Sequence, residues 1–159
     1  MRRIHSDHSS IVHCLVLFQE WSQVLRLRSR TVLISFGSVA KSSLMPRPAK
    51  KAIIDVIKSF PDTTFIWKYE EIDDAMFKGV ENLVLSKWTP QGDLLADDRL
   101  TLFITHGGAG SMMESATRGK PVIVFPLFGD QTRNAKLIEK FGFGEMRLRL
   151  PFRRRLSEQ

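Results

Sequence analysis

Residues 100–119 read LTLFITHGGAGSMMESATRG, and this stretch decides the fold. Leu100–Thr105 is a run of apolar and β-branched residues, which predicts a buried strand. A glycine-rich loop follows at 106–110. Residues 111–118 then predict a helix that ends at Gly119, a residue suited to a helix C-terminus. A strand that leads through a tight loop into a helix is the repeating unit of an α/β protein.

The same rhythm extends outward over residues 31–144. Further strands are predicted at 31–36, 63–69, 82–88 and 121–126, and further helices at 49–58 and 131–141. In the helix at 49–58, the apolar residues Ala52, Ile53, Val56 and Ile57 share one face, with lysines opposite. Strands that alternate with helices form right-handed crossovers and a parallel sheet. We therefore predict an α/β fold with a Rossmann-like, doubly wound parallel sheet.

Composition and charge limit the alternatives. The chain has 159 residues, one cysteine and a net charge of +7. One cysteine cannot form an intramolecular disulfide, and no apolar run approaches the ~20 residues that span a bilayer. Residues 1–30 and 145–159 each contain five arginines and two acidic residues, so the basic surplus lies in the flanks. A nucleic-acid-binding domain would carry a basic face itself, and we predict no nucleic-acid partner.

The predicted domain organisation has three parts. Residues 1–30 are an uncertain N-terminal segment, in which the apolar patch at 11–18 could be a helix or an edge element. Residues 31–144 are the folded domain. Residues 145–159 are a basic tail that we expect to be poorly ordered. No signal peptide or transmembrane segment is evident in this chain.

Four polar or glycine-rich clusters follow the predicted strands. They are Gly37-Ser38, residues 88–91, residues 106–111 and residues 128–131. In an open parallel sheet, ligands bind beyond the carboxyl ends of the strands. The four clusters would meet at that edge, which predicts a binding site there.

The cluster at 106–111 is the most informative of the four. Glycines let backbone amides approach a ligand, and a helix N-terminus attracts a phosphate or diphosphate. His106 could donate a hydrogen bond to a phosphate oxygen, Ser111 could add a hydroxyl, and Glu114 suits paired ribose hydroxyls. A purely structural interpretation is also open: a tight turn with Ser111 as the N-cap and Glu114 completing a capping box.

The remaining clusters leave alternatives open. Trp88 could present its ring to a flat heterocycle or be an ordinary core tryptophan. Asp130 and Gln131 suit sugar hydroxyls or a helix cap. The dinucleotide fingerprint, the P-loop and the nucleophile elbow are absent. The histidines and cysteine at 5–14 match no standard metal spacing, so we predict no metal site.

Several of these motifs together resemble a known family. Residues 88–91 (WTPQ), 105–111 (THGGAGS), Glu114, 119–121 (GKP) and 130–131 (DQ) resemble the signature of the UDP-glycosyltransferases, in the form of the animal UDP-glucuronosyltransferases. Residues 35–38 (SFGS) resemble the family's first-strand loop. The resemblance implies two Rossmann-like domains that face each other across a cleft, the GT-B arrangement. This chain looks like the C-terminal, donor-binding half.

The resemblance also assigns roles to residues. It implies that Trp88 stacks on uracil, that Gln91 holds the nucleoside and that Glu114 takes the ribose hydroxyls. The diphosphate would contact Ser38, His106, Ser111 and the amides near Gly108. Asp130 and Gln131 would meet the transferred sugar. Gly110 also belongs to the predicted site, although many family members have asparagine there, so one side-chain contact would be lost.

The implied reaction is an inverting transfer of a hexosyl group, with UDP-glucuronate or UDP-glucose as co-substrate and with no metal or other cofactor. His106 would assist the departing UDP. No catalytic base is expected in this chain, because the family's histidine base lies in the N-terminal domain, which is missing here. We interpret the chain as a fragment or an incomplete gene model, and we expect it to be inactive or nearly inactive alone.

Two hypotheses of different kinds follow. The chain is the donor half of a UDP-glycosyltransferase acting on a small lipophilic acceptor, or it is a non-catalytic module that binds UDP-sugar and pairs with full-length relatives as a homo- or hetero-oligomer. By resemblance, we expect the lumenal side of the endoplasmic reticulum membrane.

Overall fold

The computed structural model describes the backbone of residues 2–4 and residues 19–147 in full. Its strands are β1 (Arg2–Ile4), β2 (Arg30–Ser35), β3 (Thr63–Lys68), β4 (Leu83–Ser86), β5 (Leu100–Thr105), β6 (Val122–Val124) and β7 (Gly144–Met146). Its α-helices are α1 (19–24), α2 (Arg47–Ser59), α3 (Gln91–Ala96), α4 (Ala109–Thr117) and α5 (Gln131–Lys140), with 3-10 turns at Ser42–Leu44 and Ala75–Phe77.

The seven described strands form one parallel sheet in the order β1-β4-β3-β2-β5-β6-β7. Without β1, this is the strand order of a doubly wound sheet, in which the chain starts at the centre and reverses direction once. The reversal lies between β2 and β5, which pair from Thr31 with Leu100 to Ser35 with Thr105. The predicted Rossmann-like, doubly wound α/β fold is confirmed.

The core lies on both faces of the sheet because successive strand residues point to opposite sides. On β2, Leu33 packs with one cluster, whereas Val32 and Ile34 pack with the other. The first cluster brings in side chains from α1, α3 and α5, and the second brings in side chains from α2 and from residues 72–80. Burial on both faces explains why the strands are almost continuously apolar.

The buried face of α2 differs from the predicted one. Ile57 is buried as expected, but Val56 is 52% exposed, and Ile54 and Lys50 are buried instead. The Lys50 ammonium donates to the Ser43 carbonyl at 2.7 Å. This partner lets a cation lie in the core, where an unpaired charge would be costly.

Four of the described strands and α-helices have no counterpart among the predicted ones. They are β1, α1, the short helix α3 and the edge strand β7. In β7, Gly144 lies so close to the Val122 carbonyl that any Cβ at position 144 would collide with it. The predicted apolar patch at 11–18 and residues 148–159 of the predicted basic tail lie outside the described residues.

One buried asparagine joins α2 to the two neighbouring strands. The Asn82 side-chain amide donates to the carbonyls of Ile57 at 2.8 Å, Phe60 at 2.9 Å and Thr63 at 3.1 Å. These carbonyls end α2 and begin β3, and Asn82 itself precedes β4. The amide thus links the end of α2 to the start of β3, and it adds to the backbone N–H donors that the Ile57 and Phe60 carbonyls already have.

Candidate functional site

A crevice of about 360 Å³ opens at the carboxyl ends of β2 and β5, where the winding of the sheet reverses. This is where open α/β sheets bind ligands, because the two loops diverge there and leave a gap between them. The lining residues are Ser35, Gly37, Ser38, Val39, Lys68, Trp88, Thr89, Gln91, His106, Gly108, Ala109, Gly110, Ser111 and Glu114.

Most of the residues singled out in the sequence line this crevice. They are Ser38, Trp88, Gln91, His106, Gly108, Gly110, Ser111 and Glu114. The other two, Asp130 and Gln131, are not among its lining residues. The loops that follow β2, β4 and β5 therefore line the crevice, while the loop that follows β6 contributes no lining residue.

His106 lines the crevice and lies between two glycines. A Cβ added to Gly37 would lie 2.8 Å from the imidazole Cε1, and a Cβ added to Gly108 would lie 2.5 Å from Nε2. Gly37 also has a φ of +86°, which disfavours other residues. Both positions thus need glycine to leave room for the ring.

The environment of His106 affects its protonation. Burial lowers the pKa of His106 below its usual 6.5, and the negative charge of Asp130 opposes this shift. The imidazole is therefore favoured in its neutral form, in which one ring nitrogen carries a proton and can donate a hydrogen bond.

Gln91, Ser111 and Glu114 form a hydrogen-bonded group on one wall. The Gln91 side-chain amide donates to Glu114 Oε2 at 2.8 Å and to Ser111 Oγ at 3.2 Å. The helix α4 begins at Ala109 with Gly108 as its N-cap, so Ser111 is already inside the first turn. The capping-box interpretation is therefore wrong, and the Glu114 carboxylate faces the crevice with Gln91.

Trp88 lies at the rim, after the end of β4. Its side chain is 40% exposed, whereas Trp21 and Trp67 are buried in the core. The interpretation of Trp88 as a core tryptophan is therefore wrong. An exposed indole beside a polar wall offers a flat surface on which a ring can stack.

Asp130 and Gln131 shape the loop between β6 and α5. Gln131 is 3% exposed, and its Oε1 accepts from the backbone amides of Leu127 at 2.7 Å and Phe128 at 3.0 Å. The Asn134 amide donates to Asp130 Oδ2 at 2.9 Å and to the Gly107 carbonyl at 3.0 Å. This loop is thereby connected to the glycine-rich loop after β5.

The site also contains a residue that the sequence analysis missed. Lys68 ends β3 and lines the crevice. The rule that singled out the other clusters, a polar residue at the carboxyl end of a parallel strand, would have found it. It was overlooked because it belongs to an apolar run rather than to a glycine-rich loop.

Within residues 19–147, no group of three or more histidine, cysteine or acidic side chains could hold a metal ion. The histidines and cysteine at 5–14 lie outside the described residues. Across the same described part, no helix combines the length and apolar character needed to cross a bilayer.

The fold and crevice define a doubly wound α/β protein in which a glycine-rich loop and a helix N-terminus meet at the switch point of the sheet, an arrangement that suits a phosphate group. The family model described as "UDP-glucoronosyl and UDP-glucosyl transferase" matches residues 28–150. The chain belongs to this family, and it corresponds to the C-terminal-type half of its members.

Individual relatives agree with this assignment. The protein ugt-56 of Caenorhabditis elegans, a UDP-glucuronosyltransferase by name, is 41% identical over 133 residues, which are 82% of this chain and 25% of the relative. UDP-glycosyltransferase UGT5 of Dactylopius coccus is 36% identical over 115 residues, 72% of this chain and 21% of that protein. The chain thus spans about a quarter of the length of these relatives.

Solved structures share the fold. The protein LpCGTa, crystallised in complex with UDP, superimposes with a TM-score of 0.68 at 27% identity and covers 82% of this chain and 31% of that one. The glycosyltransferase of kitacinnamycin gives a TM-score of 0.65 at 24% identity over 76% of this chain and 30% of that one. The described domain therefore has the Rossmann-like fold of a GT-B glycosyltransferase's C-terminal domain.

Proposed function

We propose that this chain is the donor-binding half of a UDP-glycosyltransferase. The enzyme would transfer a hexosyl group from a UDP-sugar to a small lipophilic acceptor with inversion, and we propose glucuronosyl as that group. The observation that carries the proposal is the crevice at the switch point, where Trp88, Gln91, His106 and Glu114 meet. Membership of the family and the UDP complex of LpCGTa support UDP as the nucleotide.

Each wall of the crevice suits one part of the donor. The exposed Trp88 ring would stack on uracil, and the Glu114 carboxylate would accept hydrogen bonds from the ribose hydroxyls, with Gln91 holding that carboxylate in place. Ser38, Ser111 and the first amides of α4 would contact the diphosphate. A helix N-terminus favours such an anion through its unpaired N–H groups.

His106 is proposed to assist the leaving group. As the bond to the sugar breaks, negative charge grows on the departing UDP, and donors already aimed at it stabilise the transition state. A neutral imidazole held between Gly37 and Gly108 can donate one N–H without reorienting. Asp130 and Gln131 keep their proposed contact with the sugar, although neither lines the crevice.

The acceptor is proposed to bind on a second domain that faces this crevice, and that domain would supply the base that deprotonates the acceptor hydroxyl. Exposed apolar side chains surround the same edge of the sheet. Val39 is 81% exposed, and Leu127 and Phe128 are 43% and 53% exposed. Such a rim suits a lipophilic acceptor or a facing domain.

Isothermal titration calorimetry of the 159-residue chain tests donor binding. We expect UDP to bind with a dissociation constant between the micromolar and millimolar ranges, and ADP to bind more weakly. Glu114→Ala should weaken UDP about 10-fold through lost ribose contacts, whereas Glu81→Ala, outside the crevice, should not. Absence of UDP binding by folded protein contradicts the proposal.

Transfer assays separate the enzyme from the binding-module hypothesis. The chain is incubated with UDP-glucuronate or UDP-glucose and a phenol, and the product is followed by mass spectrometry. We expect no transfer by the chain alone and transfer after a family N-terminal domain is supplied. Transfer by the chain alone excludes the module hypothesis, and failure of every combination favours it.

A further inference from the structure

Lys68 brings a cation to a crevice that is otherwise poor in positive charge. Its side chain is 16% exposed, and its ammonium donates to the Gly37 carbonyl at 3.0 Å and approaches Glu70 Oε1 at 3.4 Å. An ammonium has three N–H donors. Two therefore hold the loop and the neighbouring carboxylate, and a third is available for a ligand in the crevice that Lys68 lines.

The loop beside Lys68 is held at a second point. The Ser43 amide donates to Glu70 Oε2 at 3.0 Å, and the Ser43 carbonyl accepts from Lys50 at 2.7 Å. Lys68 and Glu70 together thus fix the segment from Gly37 to Ser43 at both ends. The position of the Lys68 ammonium relative to Gly37, and through Gly37 to His106, is therefore defined before any ligand binds.

The charge balance of the crevice makes this cation significant. Among the described lining residues, Lys68 is the one lysine or arginine, and Glu114 is acidic. A nucleoside diphosphate is an anion, and a helix N-terminus offers only about half an elementary charge. Charge-assisted hydrogen bonds to an anion are about twice as strong as neutral ones.

We propose that Lys68, beside the loop at Gly37, is a binding residue for the diphosphate of the donor, and that Glu70 positions it. The proposal rests on the proposed function, because it assumes a UDP-sugar in this crevice. As UDP departs, the ammonium would face the same growing negative charge as His106, but with a full positive charge of its own.

The test compares UDP with uridine, which lacks the diphosphate, by calorimetry on the full chain. Lys68→Gln keeps an amide that can donate to the Gly37 carbonyl but removes the charge. We expect it to weaken UDP binding about 10-fold or more and to change uridine binding less than about 2-fold. Lys68→Arg should restore most of the UDP affinity and its dependence on ionic strength.

A second variant, Glu70→Gln, should change the affinity for UDP in the opposite direction. Glu70→Gln keeps an oxygen that accepts from the Ser43 amide but removes the negative charge beside Lys68, so UDP binding should become tighter. Lys51→Gln is the matched control, since Lys51 is 71% exposed on α2 and pairs with Asp55 outside the crevice. It should leave UDP binding unchanged.

The outcomes are distinct. If the wild type binds UDP, but Lys68→Gln binds it equally well, this inference is wrong and the proposed function stands. If Lys68→Gln and Glu70→Gln both weaken UDP, these residues act only by holding the loop, and the inference is again wrong. If the wild type binds neither UDP nor uridine, the proposed function itself fails.

Discussion

The position of the His106 ring in the crevice is set by single residues around it. Its ring occupies the space that side chains at positions 37 and 108 would need. A ring confined in this way loses little freedom when a ligand arrives, so less binding free energy is spent on ordering it. The glycine-rich sequence therefore leaves room for the histidine as well as for the proposed close approach of a phosphate.

A single methyl group at position 108 tests this arrangement. Gly108 has a φ of −61°, which alanine adopts without strain, but its Cβ would lie 2.5 Å from His106 Nε2. We expect Gly108→Ala to displace the imidazole and to weaken UDP binding about 10-fold, the equivalent of one charge-assisted hydrogen bond. Calorimetry measures the affinity, and histidine NMR shifts report the displaced ring.

The matched control for Gly108→Ala is Gly92→Ala in α3. A Cβ there meets nothing within 4 Å. Alanine also favours a helix over glycine by about 0.5–1 kcal/mol. This variant should be slightly more stable and should bind UDP like the wild type. Equal UDP affinity in both variants would contradict the role given to the glycine at 108.

The burial of His106 predicts a pH dependence of stability. Because burial lowers the pKa of His106 in the folded chain, the unfolded chain binds a proton more readily. The neutral ring therefore contributes its full stabilisation above pH 6.5, the usual pKa of histidine. This stabilisation is lost as the pH falls from 6.5 toward the lowered pKa of the folded chain. Urea unfolding at a series of pH values measures this loss. In His106→Gln the fall below about 6.5 should be shallower, and parallel curves would refute the assignment.

At the scale of elements, the connections between helices and strands fix the walls of the site. Asn82 binds the end of α2 to the start of β3 with three hydrogen bonds from one amide nitrogen. The Gln131 side-chain oxygen holds the loop after β6 by accepting hydrogen bonds from two backbone amides. Both side chains replace water at backbone groups that the fold has buried.

Removing the Asn82 amide should cost about 1–2 kcal/mol in free energy of unfolding, because its hydrogen bonds are lost while the Ile57 and Phe60 carbonyls keep their backbone donors. Asn82→Ala tests this in urea unfolding. Asn82→Asp should be more destabilising, since a carboxylate would face three carbonyl oxygens. An alanine variant within about 0.5 kcal/mol of the wild type would show that these bonds contribute little.

At the scale of the whole molecule, the core extends beyond residues 31–144. Trp21, Val24 and Leu25 are 3%, 1% and 4% exposed and belong to the same cluster as Leu33 and Phe103. The helix α1 therefore covers part of one face of the sheet. Its contribution was not visible in the sequence, because a few apolar residues among polar ones give only a weak helical period.

Trp21→Ala should lower the free energy of unfolding by about 3–5 kcal/mol, as expected for a large side chain removed from a core. Leu27→Ala is the control, since Leu27 is 44% exposed, and its cost should stay below about 1 kcal/mol. Denaturant unfolding followed by circular dichroism measures both. Equal costs at the two positions would mean that α1 is not part of the stable core.

The sequence predicted the central strands, the helices α4 and α5 and most of the crevice, because strand-end loops in a parallel sheet must meet. It did not predict Lys68, whose position becomes informative only when β3 is placed beside β2. The prediction of the buried face of α2 was wrong because Lys50 has partners distant in sequence, the Asp74 carboxylate and the Tyr69 ring. The expected endoplasmic reticulum location stays a prediction.

The tight approach of Gly144 to the Val122 carbonyl has a consequence for mutational surveys of this chain. Any other residue there would push the last strand away and reduce the amount of soluble protein in the cell, whatever the donor. A survey that scores product formation alone would rank position 144 beside position 108. Measuring the amount of folded protein per cell as well would distinguish a glycine that is needed for folding from one that is needed for activity.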